Sequence, residues 1–172
     1  EEKNQGLSPK EIYKFVSDRI YGQDRAVKAA TMLLYNHIHA HKRNILFAGP
    51  TGCGKTEIWR VMSKLYPNIR IIDSTMLTMQ GWSGSFKVRD IFSSMSQEEA
   101  EKAIIVFDEF DKFCEPLYGS NGTNYGAAAQ NELLKLIEGG QIYFPADKGK
   151  PALELDSSGI SFVFCGSFER LI

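Results

Sequence analysis

The sequence predicts a single α/β domain of the P-loop nucleotide-binding type, with a parallel sheet flanked by helices. Three observations predict it. Short continuous apolar runs alternate with segments of helical spacing, the pattern of a parallel sheet covered by helices. The first apolar run opens into a glycine-rich turn, Gly49-Pro50-Thr51-Gly52-Cys53-Gly54-Lys55-Thr56, and then into a helix. A later run, Ile104-Ile105-Val106-Phe107, ends in two carboxylates, Asp108 and Glu109.

The elements follow in order. Ser8, Pro9 and Glu11 have the types of an N-cap, a first helical residue and a capping-box partner, and Ile12, Phe15 and Val16 fall on one face. After Gly22, Asp24 is placed to cap a second helix with Ala26, Ala30, Leu33, Leu34 and Ile38 as its buried stripe, ending near Lys42-Arg43-Asn44. Ile45 to Ala48 reads as a strand buried on both faces. A helix from Lys55 to about Leu65 and a strand from Ile69 to Ile72 come next. Val88, Ile91, Phe92 and Met95 space as another amphipathic helix, and Ala103 to Phe107 as a third strand. Residues 115–126 form the longest loop. Ala129, Leu133, Leu136 and Ile137 mark a helix stopped by Gly139-Gly140. Gln141 to Leu155 reads as a β-hairpin turning near Pro145 and Asp147 to Gly149, and Ser161 to Cys165 as a fourth buried strand.

Composition narrows the function. Hydrophobic residues make up 43% and charged residues 24% of 172 residues, enough for one ordinary globular core. A formal net charge of -1 gives no electrostatic footprint for nucleic acid or an anionic membrane. No apolar run reaches transmembrane length, and the polar, acidic start is not a signal peptide. The three cysteines, Cys53, Cys114 and Cys165, lack zinc or disulfide spacing and fit reduced thiols in the cytoplasm. His37 and His41 share a helical face with no third ligand nearby, so they read as packing or solvated side chains.

The chemistry concentrates in two motifs. Gly49 to Thr56 fits G-x-x-x-x-G-K-[ST] at every fixed position and in the required strand–turn–helix context. Such a loop turns its backbone N–H groups onto phosphates. Lys55 then brings a positive charge to the β- and γ-phosphates, and Thr56 a hydroxyl to Mg²⁺. Asp108 is expected to hold the same Mg²⁺, through water, and Glu109 to orient and deprotonate the attacking water. An Asp-Glu pair favours ATP hydrolysis over GTP hydrolysis, in which Gln more often positions the water.

The order of motifs resembles the Clp-type branch of the AAA+ ATPases, ClpX-like chains first and HslU-like chains next, from about Leu7 to Leu171. Ile20-Tyr21-Gly22-Gln23 is similar to the family's V-I-G-Q segment, which packs on adenine, and Tyr35-Asn36-His37 to its Y-N-H. Asp108-Glu109-Phe110-Asp111-Lys112 resembles D-E-I-D-K, and Leu133 to Gly139 repeats L-L-K-L-I-E-G. Gly81-Trp82-Ser83-Gly84 resembles the G-Y-V-G loop that lines the family's axial pore and grips unfolded polypeptide, with Trp82 for the usual Tyr and Ser83 for Val.

The resemblance implies that residues 1–172 are the large ATP-binding domain. It also implies ATP or ADP with Mg²⁺ as cofactors, a nucleotide site of Tyr21, Gly22, Gln23, Pro50 to Glu57 and Ser167, and catalysis by Glu109 with Lys55. Partners would be identical subunits in a ring of six, an unfolded protein and, in some members, a peptidase ring. The zinc-binding and small helical domains of ClpX-like chains have no counterpart in these residues. Two departures stand out. The loop at 115–126 has no arginine, and the strand ending Phe164-Cys165-Gly166-Ser167-Phe168 is one residue shorter than the family's sensor strand, which makes Ser167 the candidate γ-phosphate sensor. The family's trans-acting arginine lies beyond Ile172, so these residues alone are expected to bind nucleotide better than they hydrolyse it. Two other readings stay open: an AAA+ remodeller acting on DNA or an assembled complex, and a nucleotide-gated scaffold with little turnover.

Overall fold

The computed structural model describes residues 6–78, 86–116, 118, 125–147 and 149–169. The N-terminus follows from its cap. Ser8 Oγ accepts from the Glu11 N–H at 3.3 Å while Glu11 Oε2 accepts from the Ser8 N–H at 2.8 Å, and α1 runs Pro9–Ser17 behind them. The second helix, α2 (Asp24–Ile38), differs from expectation at its start. Asp24 is its first residue, and Gln23 takes the cap position without a side-chain cap, because its amide is committed elsewhere.

Four strands form the main sheet: β1 (Ile45–Ala48), β2 (Ile69–Asp73), β5 (Ile104–Asp108) and β8 (Ser161–Gly166). They are parallel, in the order β1-β8-β5-β2. The side-chain period of two divides the central strands between two cores. Ile104 and Val106 of β5 and Val163 and Cys165 of β8 pack with α1, α2 and α3 (Lys55–Met62), where Trp59 is fully buried. Ile105, Phe107 and Phe162 face α6 (Tyr125–Glu138) and the hairpin of β6 (Gln141–Phe144) and β7 (Leu153–Asp156). There Phe107 stacks on Phe162 and Phe164, ring centroids 6.3 and 5.6 Å apart.

β1 departs from its sequence reading. It is an edge strand with Phe47 buried but Leu46 56% exposed. An unbroken apolar run lacks the period that tells an edge from a centre.

The expected helix at 88–95 is also absent. Val88–Phe92 is a 3-10 turn with every residue buried, followed by a short helix, α4 (Gln97–Glu101). Its polar residues are drawn inward by the hairpin. The Arg89 guanidinium donates to the Pro145 and Pro151 carbonyls, Lys150 Nζ lies 2.5 Å from Asp90 Oδ1, and Lys87 pairs with Asp147. Burying these charges is tolerable only because each has a partner. Two-residue strands β3 (Leu77–Thr78) and β4 (Phe86–Lys87) pair in parallel on either side of residues 79–85. Gly81, Trp82, Ser83 and Gly84 lie outside the described residues.

His37 has a structural post. Its ring joins the Ser161 hydroxyl through Nδ1 at 2.8 Å and the Lys102 carbonyl through Nε2 at 2.9 Å, so Nε2 carries the proton and Nδ1 accepts. Burial pushes its pKa down, against a smaller upward pull from the Lys102 carbonyl. The folded state therefore takes up its proton less readily than the unfolded chain. Its contribution is complete above the unfolded value of about 6.5 and is lost as pH falls through the lowered folded value. Urea unfolding of the wild type should lose stability below about pH 6.5, and His37→Gln should flatten that slope. An unchanged slope in the variant would refute the assignment.

Candidate functional site

The parallel order brings the carboxyl ends of β1, β8, β5 and β2 to one edge, where α/β sheets bind ligands. In register, Ala48 pairs with Gly166 and Asp73 with Asp108. The turn after β1 thus lies beside the end of β8, with the end of β5 next in line. A cleft of about 260 Å³ opens there.

Its first wall is the glycine-rich loop. The Gly49 N–H donates to the Gly166 carbonyl at 3.2 Å, tying the loop to β8. Gly52 and Gly54 are left-handed, with φ of 79° and 85°, and nothing lies within 4 Å of where a Cβ would stand. Side chains there would be strained and would fill space that the backbone leaves open at the start of α3. Lys55 Nζ donates to the Gly49 and Pro50 carbonyls at 2.6 and 2.8 Å. The ammonium is held at the loop mouth, where phosphate oxygens can replace carbonyls. Thr51, Thr56 and Glu57 line the same wall.

The second wall is acidic. Asp108 ends β5, and its Oδ1 accepts the Glu109 N–H at 3.0 Å. Glu109 adopts a left-handed φ of 51° at the start of the four-residue helix α5 (Phe110–Phe113). That conformation is uncommon for a side-chain-bearing residue and marks a constrained turn. Glu109 Oε2 lies 2.7 Å from Lys112 Nζ, and hydrogen bonding to Glu109 holds the Lys112 ammonium above its usual range.

Ser167, just past β8, completes the cleft. Its hydroxyl donates to Asp111 Oδ2 at 2.8 Å. Beneath it, burial pushes the Cys165 thiol up to about 12, so this cysteine stays a protonated core side chain.

The structure thus brings Lys55, Thr56, Asp108, Glu109 and Ser167 together, with Thr51, Gly52, Gly54 and Glu57 around them. Pro50 and Cys53 take part as well: the Pro50 carbonyl accepts from Lys55, whose Nζ also lies 3.6 Å from Cys53 Sγ, and the Cys53 carbonyl accepts from Gln23 Nε2 at 2.6 Å. Tyr21, Gly22 and Gln23 are not among the cleft-lining residues, and Tyr21 is 85% exposed. Gln23 reaches the loop through that hydrogen bond. Arg60, Asp111 and Lys112 also line the cleft, unassigned by sequence reasoning. Asp111 and Lys112 belong to the Asp108 to Lys112 segment that resembles D-E-I-D-K, and Arg60 lies on the helix that Lys55 begins.

The donor set fits Mg·ATP. Open left-handed glycines, a lysine at the loop mouth, a threonine hydroxyl and a strand-end aspartate are the groups that a nucleotide triphosphate and a hard cation require.

Comparison with known proteins bears on the same residues. Residues 45–162 match the model of the ATPase family associated with various cellular activities (AAA). That stretch contains both motifs, and the chain belongs to this family. It is also 30% identical over 189 aligned positions to the ATP-dependent Clp protease ATP-binding subunit ClpX of Porphyromonas gingivalis, in each of two strains, and to that of Bacteroides thetaiotaomicron. The alignments cover 95% of this chain and 45–46% of the relatives, so the chain spans a little under half of their length. Within the family it is a ClpX-like AAA+ domain.

Proposed function

We propose that this chain is the nucleotide-binding and hydrolysing domain of a ClpX-like protein unfoldase. The observation that carries the reading is one cleft walled by the glycine-rich loop, the Asp108-Glu109 strand end and Ser167. Thr56 and Asp108 would hold Mg²⁺, which when bound neutralises phosphate charge. Lys55 leaves the Gly49 and Pro50 carbonyls for the phosphates. Glu109, fixed by its turn, takes a proton from the attacking water. The resemblance would put adenine against Tyr21, Gly22 and Gln23, and the Gln23–Cys53 bond ties that segment to the phosphate loop.

The ring of six, the polypeptide substrate, the peptidase partner and the cytoplasmic setting rest on the resemblance and on the ClpX relatives. Among the described residues no helix is long and apolar enough to cross a membrane. Trp82 would grip polypeptide by wedging an aromatic ring against any side chain, without reading sequence. In the complete protein, Trp82→Ala should keep ATP hydrolysis within about threefold yet lose about tenfold or more of the unfolding rate on a fluorescent substrate, with Trp82→Tyr restoring it. Equal unfolding by Trp82→Ala would refute the gripping role.

A further inference from the structure

Ser167 has one hydroxyl proton, and the structure shows where it goes. Oγ donates to Asp111 Oδ2 at 2.8 Å. Burial pushes this carboxyl up, but the Ser167 hydroxyl and the nearby backbone N–H groups of residues 111, 167 and 168 favour its charged form and the net shift is down, so Asp111 is an ionised acceptor at neutral pH. The fit is close. A Cβ on Gly166 would stand 2.5 Å from Asp111 Oδ1 and 2.7 Å from Cε2 of Phe168, and Phe168 is held at a left-handed φ of 54°. One carboxylate thus fastens the turn that follows β8 to α5, the helix begun by Glu109.

We propose that Asp111 is a positioning residue for ATP hydrolysis: by taking the Ser167 proton it leaves Ser167 Oγ at the cleft wall as an acceptor, which with the Glu109 carboxylate holds the O–H bonds of the attacking water. A hydroxyl in direct contact with a γ-phosphate oxygen would have to donate, and this one already donates elsewhere. The proposal rests on the ATPase reading and adds the residue that sets the polarity of its sensor. Asp111 lies three residues beyond Asp108 and is tied to the strand beside β5, so the acidic pair and Ser167 keep one geometry. Two acceptors on one water fix its orientation before attack, which works on the chemical step and not on nucleotide affinity.

The test uses the complete protein and steady-state hydrolysis of Mg·ATP. Asp111→Asn, Ser167→Ala and the double variant are compared with wild type for kcat, KM and nucleotide Kd. The expected result is a fall in kcat of about tenfold or more for each single variant, with KM and Kd within about threefold. The double variant should be no slower than the worse single one, because Asp111 acts only through the Ser167 hydroxyl, which Ser167→Ala removes. Asp111→Asn turnover within about twofold of wild type overturns the proposal, as do losses that multiply or a Kd that weakens in step with kcat. Should Asp111→Asn fail to fold, Ser167→Thr and Ser167→Ala decide. Thr near wild type with Ala about tenfold down supports it, and equal rates overturn it. Failure of the ATPase reading shows separately, as wild-type turnover that is absent or indifferent to Glu109→Gln.

Discussion

Glu109→Gln in the complete protein should bind Mg·ATP with an affinity within about threefold of wild type and lose 100-fold or more of its turnover, on the order of what a positioned general base supplies. The asymmetry follows from where Glu109 stands. It lines the same cleft as the glycine-rich loop, in a constrained left-handed turn, and its carboxylate is paired with Lys112. Gln has nearly the same shape and keeps the turn, but its amide cannot take a proton. A variant that traps ATP without product, read by equilibrium binding and by phosphate release, would match this assignment. Unaltered turnover would move the base elsewhere.

Lys55→Ala should act one step earlier. It removes the ammonium at the loop mouth and leaves the Gly49 and Pro50 carbonyls with one donor fewer. Binding of a triphosphate should weaken by about 30-fold or more, the loss of one charge-assisted contact to phosphate at roughly 2 kcal/mol. The thermal stabilisation conferred by Mg·ATP on wild type should shrink with it, since that stabilisation follows ligand affinity. The two variants therefore separate: one holds nucleotide and stalls, the other fails to hold it. A Lys55→Ala protein still stabilised by Mg·ATP to the wild-type extent would contradict the loop's assignment.

Much of this was legible in the sequence because it is local. The capping box of α1, the glycine-rich turn between β1 and α3, the acidic end of β5 and the hairpin after Gly139-Gly140 depend on residues a few positions apart. What was not legible depends on partners far away in sequence. Leu46 is exposed because β1 lies at a sheet edge, and strand order leaves no trace in a four-residue apolar run. Val88 to Phe92 has helical spacing but winds as a 3-10 turn, since Arg89 and Asp90 are satisfied by hairpin groups about 60 positions on. Gln23 reads as a nucleotide contact, and the bond from its amide to the Cys53 carbonyl, 30 positions away, could not be read beside it. The Asp108 to Lys112 segment gives Asp111 no legible role because its partner, Ser167, is 56 positions distant. Short motifs carry their own chemistry, and the groups that orient them are found only once the strands are laid side by side.

The most direct test of the account is steady-state ATP hydrolysis by the complete natural protein, measured with and without an unfolded polypeptide. The account predicts Mg²⁺-dependent turnover that Glu109→Gln abolishes and that changes when polypeptide is added. Nucleotide binding without turnover, or turnover indifferent to polypeptide, would contradict it.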